Sequence, residues 1–357
     1  MKTATITLHD TNNAGSSLQS FALQHFLSEN GIENEIIDYV PNYVRTNGRF
    51  IRTLARQVIY WKESREQTRN FRLFKAQFLK CTSQRYRTYE QLMHNPPVAD
   101  IFIAGSDQIW NAGYACGQDP AYYLAFSRKP KVSYAASIGK AEVPEEEQMR
   151  FSHYLRDFRA ISVRERSSKE LLSQLLHRDV AYVCDPVLLN SLEVYRGMQS
   201  APLINEPYAL VYLVSPSELL EKALLRIRKL YHCKVVLIGG FKEKCTCDYH
   251  LRSVGPQDFL SLIDHSQFVL SSSFHATVFS HIYHKSFAVI PPRHNQVRMR
   301  QFLEVSGLLE HWLEEETSIE AAVSPIDFCE PQKKLEGFIR ESKEWLLRSL
   351  EEGNSNE

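Results

Sequence analysis

The stretch FVLSSSFHATVF, residues 268–279, decides the fold of this chain. Val269 and Leu270 have the β-branched and apolar side chains of a buried strand, and three serines follow them. Because a serine hydroxyl is a favoured N-cap, the pattern predicts a helix that begins near His275. A helix N-terminus carries a partial positive charge and favours bound anions. The stretch therefore predicts a strand–turn–helix unit with a candidate anion site at His275; the alternative is a core or capping histidine.

Strand and helix signals alternate along the rest of the chain. Residues 3–8 predict a strand, residues 18–27 a helix and residues 34–40 a second strand. The same alternation returns from residue 208 onwards. A strand–helix–strand order produces a parallel sheet. We therefore expect an α/β fold with two Rossmann-like domains facing a cleft, which is a GT-B-like architecture.

The length and composition predict where these domains begin and end. A chain of 357 residues is too long for one ordinary hydrophobic core. A stretch with two prolines and little periodicity separates the two α/β halves, and a long charged amphipathic helix follows the second half. We expect this helix to pack back across both domains and to end in a disordered tail. The predicted parts are an N-terminal domain at 1–190, a linker at 191–207, a C-terminal domain at 208–328, and the helix with its tail at 329–357.

Composition and charge argue against several classes of protein. The formal net charge is zero, so we expect no binding to nucleic acid. No run of about 18 apolar residues predicts a membrane span, and no secretory signal is expected. Seven scattered cysteines indicate free thiols in the cytoplasm and not a disulfide framework. No cluster of side chains has the spacing of metal ligands, so we expect no metal and no cofactor.

Residues 43–87 depart from this neutral balance. They contain twelve Arg or Lys and only two Glu, a local net charge of +10, with apolar residues interleaved at helical spacing. One interpretation is an amphipathic helical pair with a solvated basic face. The other is an interfacial segment that meets anionic lipid or a diphosphate-linked lipid carrier. The segment belongs to a predicted basic helical insertion at 43–95. Through residues 43–87, a cytoplasmic protein would contact the inner face of the membrane.

Polar groups follow several of the predicted strands in the N-terminal domain. Carboxyl ends of parallel strands meet at one edge of a sheet, where open α/β folds bind their ligands. We therefore expect these residues to form a substrate-binding edge. They are Asn13, Gly105, Ser106, Asp107, Gln108, Arg164 and Asp185.

Seven motifs extend this pattern over nearly the whole chain. They are NNAGSSLQSFAL at 12–23, GSDQIWN at 105–111, SYAASIG at 133–139, SVRER at 162–166, DPVLL at 185–189, GPQDFLSLI at 255–263 and SSSFHATVFS at 271–280. In these motifs the chain resembles the polysaccharide pyruvyl transferases. The resemblance implies a GT-B-like fold and transfer of pyruvate from phosphoenolpyruvate, the donor substrate, onto two hydroxyls of a sugar. It also implies a role in the synthesis of capsule, exopolysaccharide or another cell-surface glycan.

The charge of phosphoenolpyruvate suggests roles for the central residues. Arg164 suits a bidentate clamp on carboxylate or phosphate, and its alternative is an ion pair with Glu165 or with a neighbour on a helix. His275 is the best candidate for a general acid or a phosphate ligand. Asp107, with Asp185 behind it, is the candidate that orients or deprotonates the hydroxyls of the acceptor, a sugar or a lipid-linked oligosaccharide. The alternative for Asp107 is a carboxylate that caps a loop.

Further candidates surround His275 in the C-terminal domain. Ser272 and Ser273 lie in the turn before it. Many members of the family carry Arg at the position of Ser273, so one expected anion contact is replaced here. Arg298, which resembles a basic residue that the family places downstream, or Arg300 would supply that cation. The alternative for Arg298 is an arginine on the surface of a helix.

Two other functions stay open at this stage. The same fold is used by GT-B glycosyltransferases that take nucleotide sugars, since fold alone does not choose function. The second alternative is a non-catalytic scaffold in glycan assembly that uses the basic helices, and Ser273 is the feature that favours it.

Overall fold

The computed structural model describes residues 1–45, 61–140, 142–213, 217–239, 245–292 and 296–351. The chain forms two compact units. The first comprises Met1–Ala55, Lys75–Asn190 and Gly337–Glu357, and the second comprises Arg56–Phe74 and Ser191–Glu336.

The first unit is built around a parallel sheet. Its strands are β1 (Lys2–Ile6), β2 (Glu33–Tyr39), β3 (Cys81–Tyr86), β4 (Ile101–Ala104) and β5 (Lys131–Ser133). They lie in the order β3-β2-β1-β4-β5 and are all parallel. Two further strands pair with each other, β6 (Ser162–Val163) and β7 (Ala181–Tyr182). All four residues of β4 are buried, as expected of a central parallel strand that is covered on both faces.

The second unit repeats this arrangement. Its strands are β8 (Tyr208–Tyr212), β9 (Lys234–Ile238), β10 (Tyr249–Leu251), β11 (Phe268–Ser271) and β12 (Phe287–Val289). They form a parallel sheet in the order β10-β9-β8-β11-β12. Each sheet thus begins with a central strand and grows to both edges. This confirms the predicted α/β fold with two Rossmann-like domains.

Helices connect the strands of both sheets. Within the described residues they are α1 (Ala14–Glu29), α2 (Asn42–Arg45), α3 (Trp61–Phe78), α4 (Tyr89–His94), α5 (Glu145–Leu155), α6 (Arg166–Leu176), α7 (Leu192–Arg196), α8 (Leu220–Tyr231), α9 (Pro256–Asp264), α10 (Phe274–Ile282), α11 (Val297–Ser306), α12 (Ile319–Ala322) and α13 (Cys329–Glu351). None of the helices in the described chain is long and apolar enough to cross a bilayer.

The basic segment at 43–87 differs from the predicted helical pair. Its last part is the edge strand β3, which pairs with β2. The sequence CTSQRY has no strong apolar alternation because an edge strand is paired along one side only. Residues 46–60 of the segment lie outside the described residues. The helical parts of the segment that the structure describes are the end of α2 and helix α3.

The other predicted boundaries can be compared with the two units. The second unit resumes at Ser191, so the predicted linker at 191–207 belongs to this unit. The predicted linker contains the short helix α7, in which Tyr195 is fully buried. From Gly337 onwards the C-terminal helix belongs to the first unit. There the ring of Phe338 lies 4.8 Å from that of Tyr182. Residues 352–357, the predicted disordered tail, lie outside the described residues.

A buried histidine couples the stability of the second unit to pH. His281 is 1% exposed, and its ring packs against Phe302 and Phe328. Burial, with a contribution from the nearby His284, lowers the pKa of His281 to about 4, although a hydrogen bond with Gln332 acts in the other direction. The folded chain therefore resists protonation of this ring, whereas the unfolded chain takes up the proton below its ordinary pKa of 6.5.

We expect the second unit to lose stability as the pH falls from about 6.5 towards 4, by on the order of 3 kcal/mol from this ring. A His281→Phe variant keeps an aromatic ring but cannot titrate, so its melting temperature should fall less between about pH 7.5 and pH 5. The exposed His265 provides the control, since His265→Phe should leave that difference unchanged. Equal acid sensitivity of the wild type and His281→Phe would contradict this account.

Candidate active site

The loop after β4 crosses close to the neighbouring strand β1. A Cβ atom at Gly105 would lie 3.0 Å from Cγ2 of Thr5 and 3.1 Å from Cβ of Thr7, both in the packed interior. Only glycine fits this crossing without displacing its neighbours. The Thr7 hydroxyl donates to the backbone carbonyl of Ser106 at 2.8 Å and fixes the start of the loop. The local sequence thus brings the loop to the carboxyl end of the central strand.

Asp107 is held in an unusual and well-defined position. Its φ is 74°, in the left-handed region that non-glycine residues rarely adopt, and its side chain is buried. The hydroxyl of Ser16 donates to its Oδ2 at 2.5 Å, and the backbone N–H of Gln108 donates to its Oδ1 at 2.8 Å. Asn13 caps the same first turn of α1 by accepting the N–H of Ser16 at 3.2 Å. Ser16 therefore joins two of the predicted site residues.

A buried ion pair contacts the same loop. Nη1 of Arg164 donates to Oδ2 of Asp185 and lies 3.4 Å from the hydroxyl of Ser106. Burial alone would lower the pKa of Arg164, but the negative charges of Asp185, Glu165 and Asp107 outweigh it and raise this pKa. The guanidinium thus stays charged, and the structure brings Arg164, Asp185 and Ser106 together.

The carboxylate of Glu165 is bound by two serine hydroxyls and not by the guanidinium of Arg164. This carboxylate is fully buried and accepts hydrogen bonds from the hydroxyls of Ser137 and, at 3.2 Å, Ser168. The sequence patterns do not predict either serine, or Ser16, as a site residue. The signal that could have found them is their position beside motif residues, one in SYAASIG and one in the first turn after SVRER.

Gln108 contacts Asn111, which lies further along the same loop. Its Oε1 accepts from Nδ2 of Asn111 at 2.8 Å. Gly139, at a φ of 71°, lies against both groups, because a Cβ there would sit 2.6 Å from Oε1 of Gln108 and 2.7 Å from Nδ2 of Asn111. A side chain at this position would displace the amide pair.

We expect Gly139→Ala to destabilise the first unit by about 1–3 kcal/mol and to reduce activity, because Gln108 must move. Gly31 is a matched control with a φ of 72° and no atom within 4 Å of its added Cβ. Gly31→Ala therefore measures the backbone strain alone, and urea unfolding of both variants isolates the cost of the clash. The interpretation fails if the two variants lose equal stability and keep equal activity.

In the second unit, His275 lies in the first turn of α10, directly after β11. The turn is shaped by Ser271, whose hydroxyl donates to the carbonyl of Tyr212 at 2.7 Å and accepts the N–H of Ser273 at 3.0 Å. The N–H of Ser272 also donates to the Tyr212 carbonyl, at 3.1 Å. Ser273 occupies the predicted N-cap position, but among the described residues its hydroxyl makes no capping hydrogen bond. Hydrogen bonds to the Tyr212 carbonyl at the end of β8, and not the expected serine cap, therefore hold the turn that carries His275.

The two predicted arginines of the second unit are placed differently. The guanidinium of Arg298 lies over the ring of Phe274, 5.3 Å from its centroid. Phe274 is the residue before His275, so Arg298 brings a cation to the start of α10. Arg300 is exposed, and its Nε lies 3.4 Å from the carboxylate of Glu304. The structure thus associates Arg298 with the His275 turn, whereas Arg300 faces outwards.

The described residues contain no group of three or more His, Cys, Asp or Glu side chains that could hold a metal ion. The two units instead carry distinct sets of groups. Carboxylates and hydroxyls line the sheet edge of the first unit, and an imidazole with a nearby guanidinium starts α10 of the second. The first set can orient hydroxyl groups, and the second can bind and protonate an anion.

Comparison with known proteins decides the family. A family model described as polysaccharide pyruvyl transferase matches residues 13–294. The chain belongs to this family. The family consists of transferases of polysaccharide pyruvylation, and this chain is one of them. The matched region contains every predicted site residue except Arg298 and Arg300. A search of the curated proteins returns no match.

Solved structures show the fold of this polysaccharide pyruvyl transferase family member in other proteins. The UDP-GlcNAc 2-epimerase from Neisseria meningitidis bound to UDP-GlcNAc has a TM-score of 0.56 at 14% identity, over 99% of this chain and 100% of that chain. The enzyme of the same name from Methanocaldococcus jannaschii has a TM-score of 0.54 at 13% identity, over 99% and 100%. Another UDP-N-acetylglucosamine 2-epimerase has a TM-score of 0.58 at 13% identity, over 100% and 97%. These likenesses establish the GT-B type of fold and nothing about the substrate.

Proposed function

We propose that this chain transfers pyruvate from phosphoenolpyruvate onto two hydroxyls of one sugar, forming a cyclic ketal in a cell-surface polysaccharide or its lipid-linked precursor. The observation that carries the proposal is the start of α10. There His275 is 6% exposed, inside the region matched by the family, with the guanidinium of Arg298 stacked on the adjacent Phe274. An imidazole beside a cation and a helix N-terminus suits a phosphorylated acid.

The transfer makes three new single bonds at phosphoenolpyruvate, and it uses up the C2–C3 double bond and the C2–O bond to phosphate. C3 takes up a proton and becomes a methyl group, which makes C2 electrophilic. One sugar hydroxyl forms a C–O bond to C2, and the bond from C2 to the phosphate oxygen breaks. The second hydroxyl forms the other C–O bond and closes the ring. The two hydroxyl protons balance the proton gained by C3 and the proton carried away by phosphate.

The residues of the second unit suit the donor side of this reaction. His275 would act as the proton donor, and Arg298 would hold the phosphate as its charge grows when the C2–O bond breaks. Ser272 and Ser273 shape the turn that presents His275. Arg300 would play no direct part, because it is exposed and paired with Glu304.

The residues of the first unit suit the acceptor side. Asp107, oriented by the Ser16 hydroxyl and the Gln108 N–H, would accept a proton from a sugar hydroxyl. Arg164 serves this reaction as a positioning residue, since its buried contact with Asp185 and Ser106 fixes the loop that carries Asp107. This role replaces the clamp that the sequence suggests, because Nη1 already bonds within the protein.

The donor is tested by comparing ligands in a thermal-shift assay and following phosphate release. A ligand that binds only the folded protein raises the melting temperature in proportion to the logarithm of its concentration. Phosphoenolpyruvate should raise it, and UDP-N-acetylglucosamine should not. The product of incubation with a sugar acceptor should show the methyl signal of a ketal by NMR. A shift with the nucleotide sugar alone would favour the glycosyltransferase alternative, and no shift with either would favour the scaffold.

A further inference from the structure

Helix α3 presents a basic face that the transfer reaction does not use. At about 100° per residue, seven side chains fall within an arc of about 120° on this helix, and all of them are basic or apolar. Glu66, the nearest acidic residue, lies just outside the arc, and Glu63 lies on another side. We call this surface the α3 basic face. Its residues are Trp61, Lys62, Arg65, Arg69, Arg72, Leu73 and Ala76.

The side chains of the α3 basic face are open to solvent. Trp61 is 48% exposed and Leu73 is 51% exposed. All four cations of the face are exposed, and within the described chain none of them forms an ion pair with a carboxylate. Lys62 and Arg65 lie over the ring of Trp61, at 5.9 Å and 5.4 Å from its centroid. The face thus combines uncompensated positive charge with exposed apolar surface.

Three other basic residues of 43–87 differ in this respect. Lys75 and Arg85 both form ion pairs with Asp38 and Asp10, so carboxylates of the first unit neutralise these two cations. Lys80 pairs with Glu33 at 3.0 Å. Lys75, Lys80 and Arg85 are thus neutralised by carboxylates within the protein, whereas in the described chain the four cations of the α3 basic face are not.

The opposite side of α3 anchors the helix. Phe71 and Phe74 are buried, and Nδ2 of Asn70 donates to the carbonyl of Ser253 at 2.8 Å within the second unit. A Cβ added at Gly255 would lie 2.7 Å from Cβ of Asn70, so the backbone of this unit approaches the helix closely. The α3 basic face is consequently presented on a fixed support and not on a free helix.

We propose that the α3 basic face docks on the surface of an anionic lipid bilayer. Each Lys or Arg near such a surface gains free energy from the negative headgroups, and Trp and Leu partition into the interface. Arginine and lysine stems cover apolar surface while their charged ends stay among the headgroups. The exposed Trp61 and Leu73 at the two margins of the cationic stripe favour a bilayer over a purely charged partner such as RNA. The proposal goes beyond the transfer reaction and stands without it.

The test compares two charge-reversed variants of the full chain in vesicle flotation. Arg65→Glu, Arg69→Glu and Arg72→Glu together change the α3 basic face. The control combines Arg128→Glu, Lys129→Glu and Arg340→Glu, which are exposed on other parts of the chain and change the net charge equally. Vesicles contain phosphatidylcholine alone or with phosphatidylglycerol. We expect the wild type and the control to float with the anionic vesicles and the α3 variant to bind at least about tenfold more weakly.

Two further readouts decide between docking modes. Raising the salt concentration should release the protein, and Trp61 emission, assigned with Trp61→Phe, should shift to the blue on binding. Phosphate release with a soluble acceptor should be unchanged in the α3 variant, so a failure here is separate from a failure of the proposed reaction. Equal loss in both variants, binding to neutral vesicles alone, or retention on RNA without vesicle binding would overturn the proposal.

Discussion

His275→Ala is expected to lower the rate of phosphate release from phosphoenolpyruvate and a sugar acceptor by about 10²–10⁴-fold. The imidazole is the group that the structure places at the start of α10, with the guanidinium of Arg298 over the neighbouring ring of Phe274. Removing it takes away the proposed proton donor and leaves the turn intact, because the turn depends on Ser271 and the backbone of Tyr212. The melting temperature should therefore change little.

The exposed His265 offers a matched control for this substitution in the same unit. His265→Ala removes an imidazole of the same kind and should keep full turnover. A His275→Gln variant, which retains hydrogen bonding but cannot donate a proton at neutral pH, separates phosphate binding from acid catalysis. If it binds phosphoenolpyruvate normally and turns over at the wild-type rate, His275 is not the acid. Full turnover in His275→Ala would remove the residue from the reaction altogether.

Asp185→Asn is expected to destabilise the first unit by about 3–5 kcal/mol, because it leaves the charge of Arg164 buried without its partner. The side chain of Arg164 is 2% exposed and that of Asp185 is not exposed. A guanidinium cannot lose its proton to escape this cost. The amide of Asn keeps the hydrogen bond to the N–H of Val187, so the loss reports the charge and not the cap.

A double substitution shows whether the loss belongs to the pair. Arg164→Met in the Asp185→Asn background removes the stranded charge and should recover most of the stability measured by urea unfolding. The activity of the double variant should be lower than that of the wild type, because Ser106 loses its contact with the guanidinium of Arg164. The exposed pair of Lys222 and Glu316 is the control, since Glu316→Gln should cost less than about 1 kcal/mol. Additive losses in the double variant would contradict a direct coupling of Arg164 and Asp185.

The sequence predicted much of the fold from local signals. The strand, serine turn and helix at 268–279 are adjacent in the chain, and β11 and α10 occupy this stretch. Strand β3 was wrongly included in a helical pair, because its residues are polar and its strand character comes from pairing with β2. Only the sheet supplies that partner, so no pattern within the segment could reveal it.

The candidate site shows the same division between local and distant information. That Arg164 and Glu165 are polar groups at a strand end was visible in the sequence, but their partners were not. Successive residues of an extended chain point to opposite sides, so Arg164 meets Asp185 while Glu165 meets Ser137 and Ser168. These contacts depend on the order of the strands, which sets which loops become neighbours.

By itself, the sequence determined the alternation of strands and helices, the family, and which residue types stand at the strand ends, because each of these is encoded within a short stretch. Which charges are neutralised within the protein and which stay exposed depends instead on contacts between residues that are distant in the chain. Asp38 and Asp10 neutralise Lys75 and Arg85, whereas the cations of the α3 basic face stay exposed. The physical reason is that an ion pair requires two groups to be brought within a few ångströms, and residues distant in the chain reach that separation only when the chain folds.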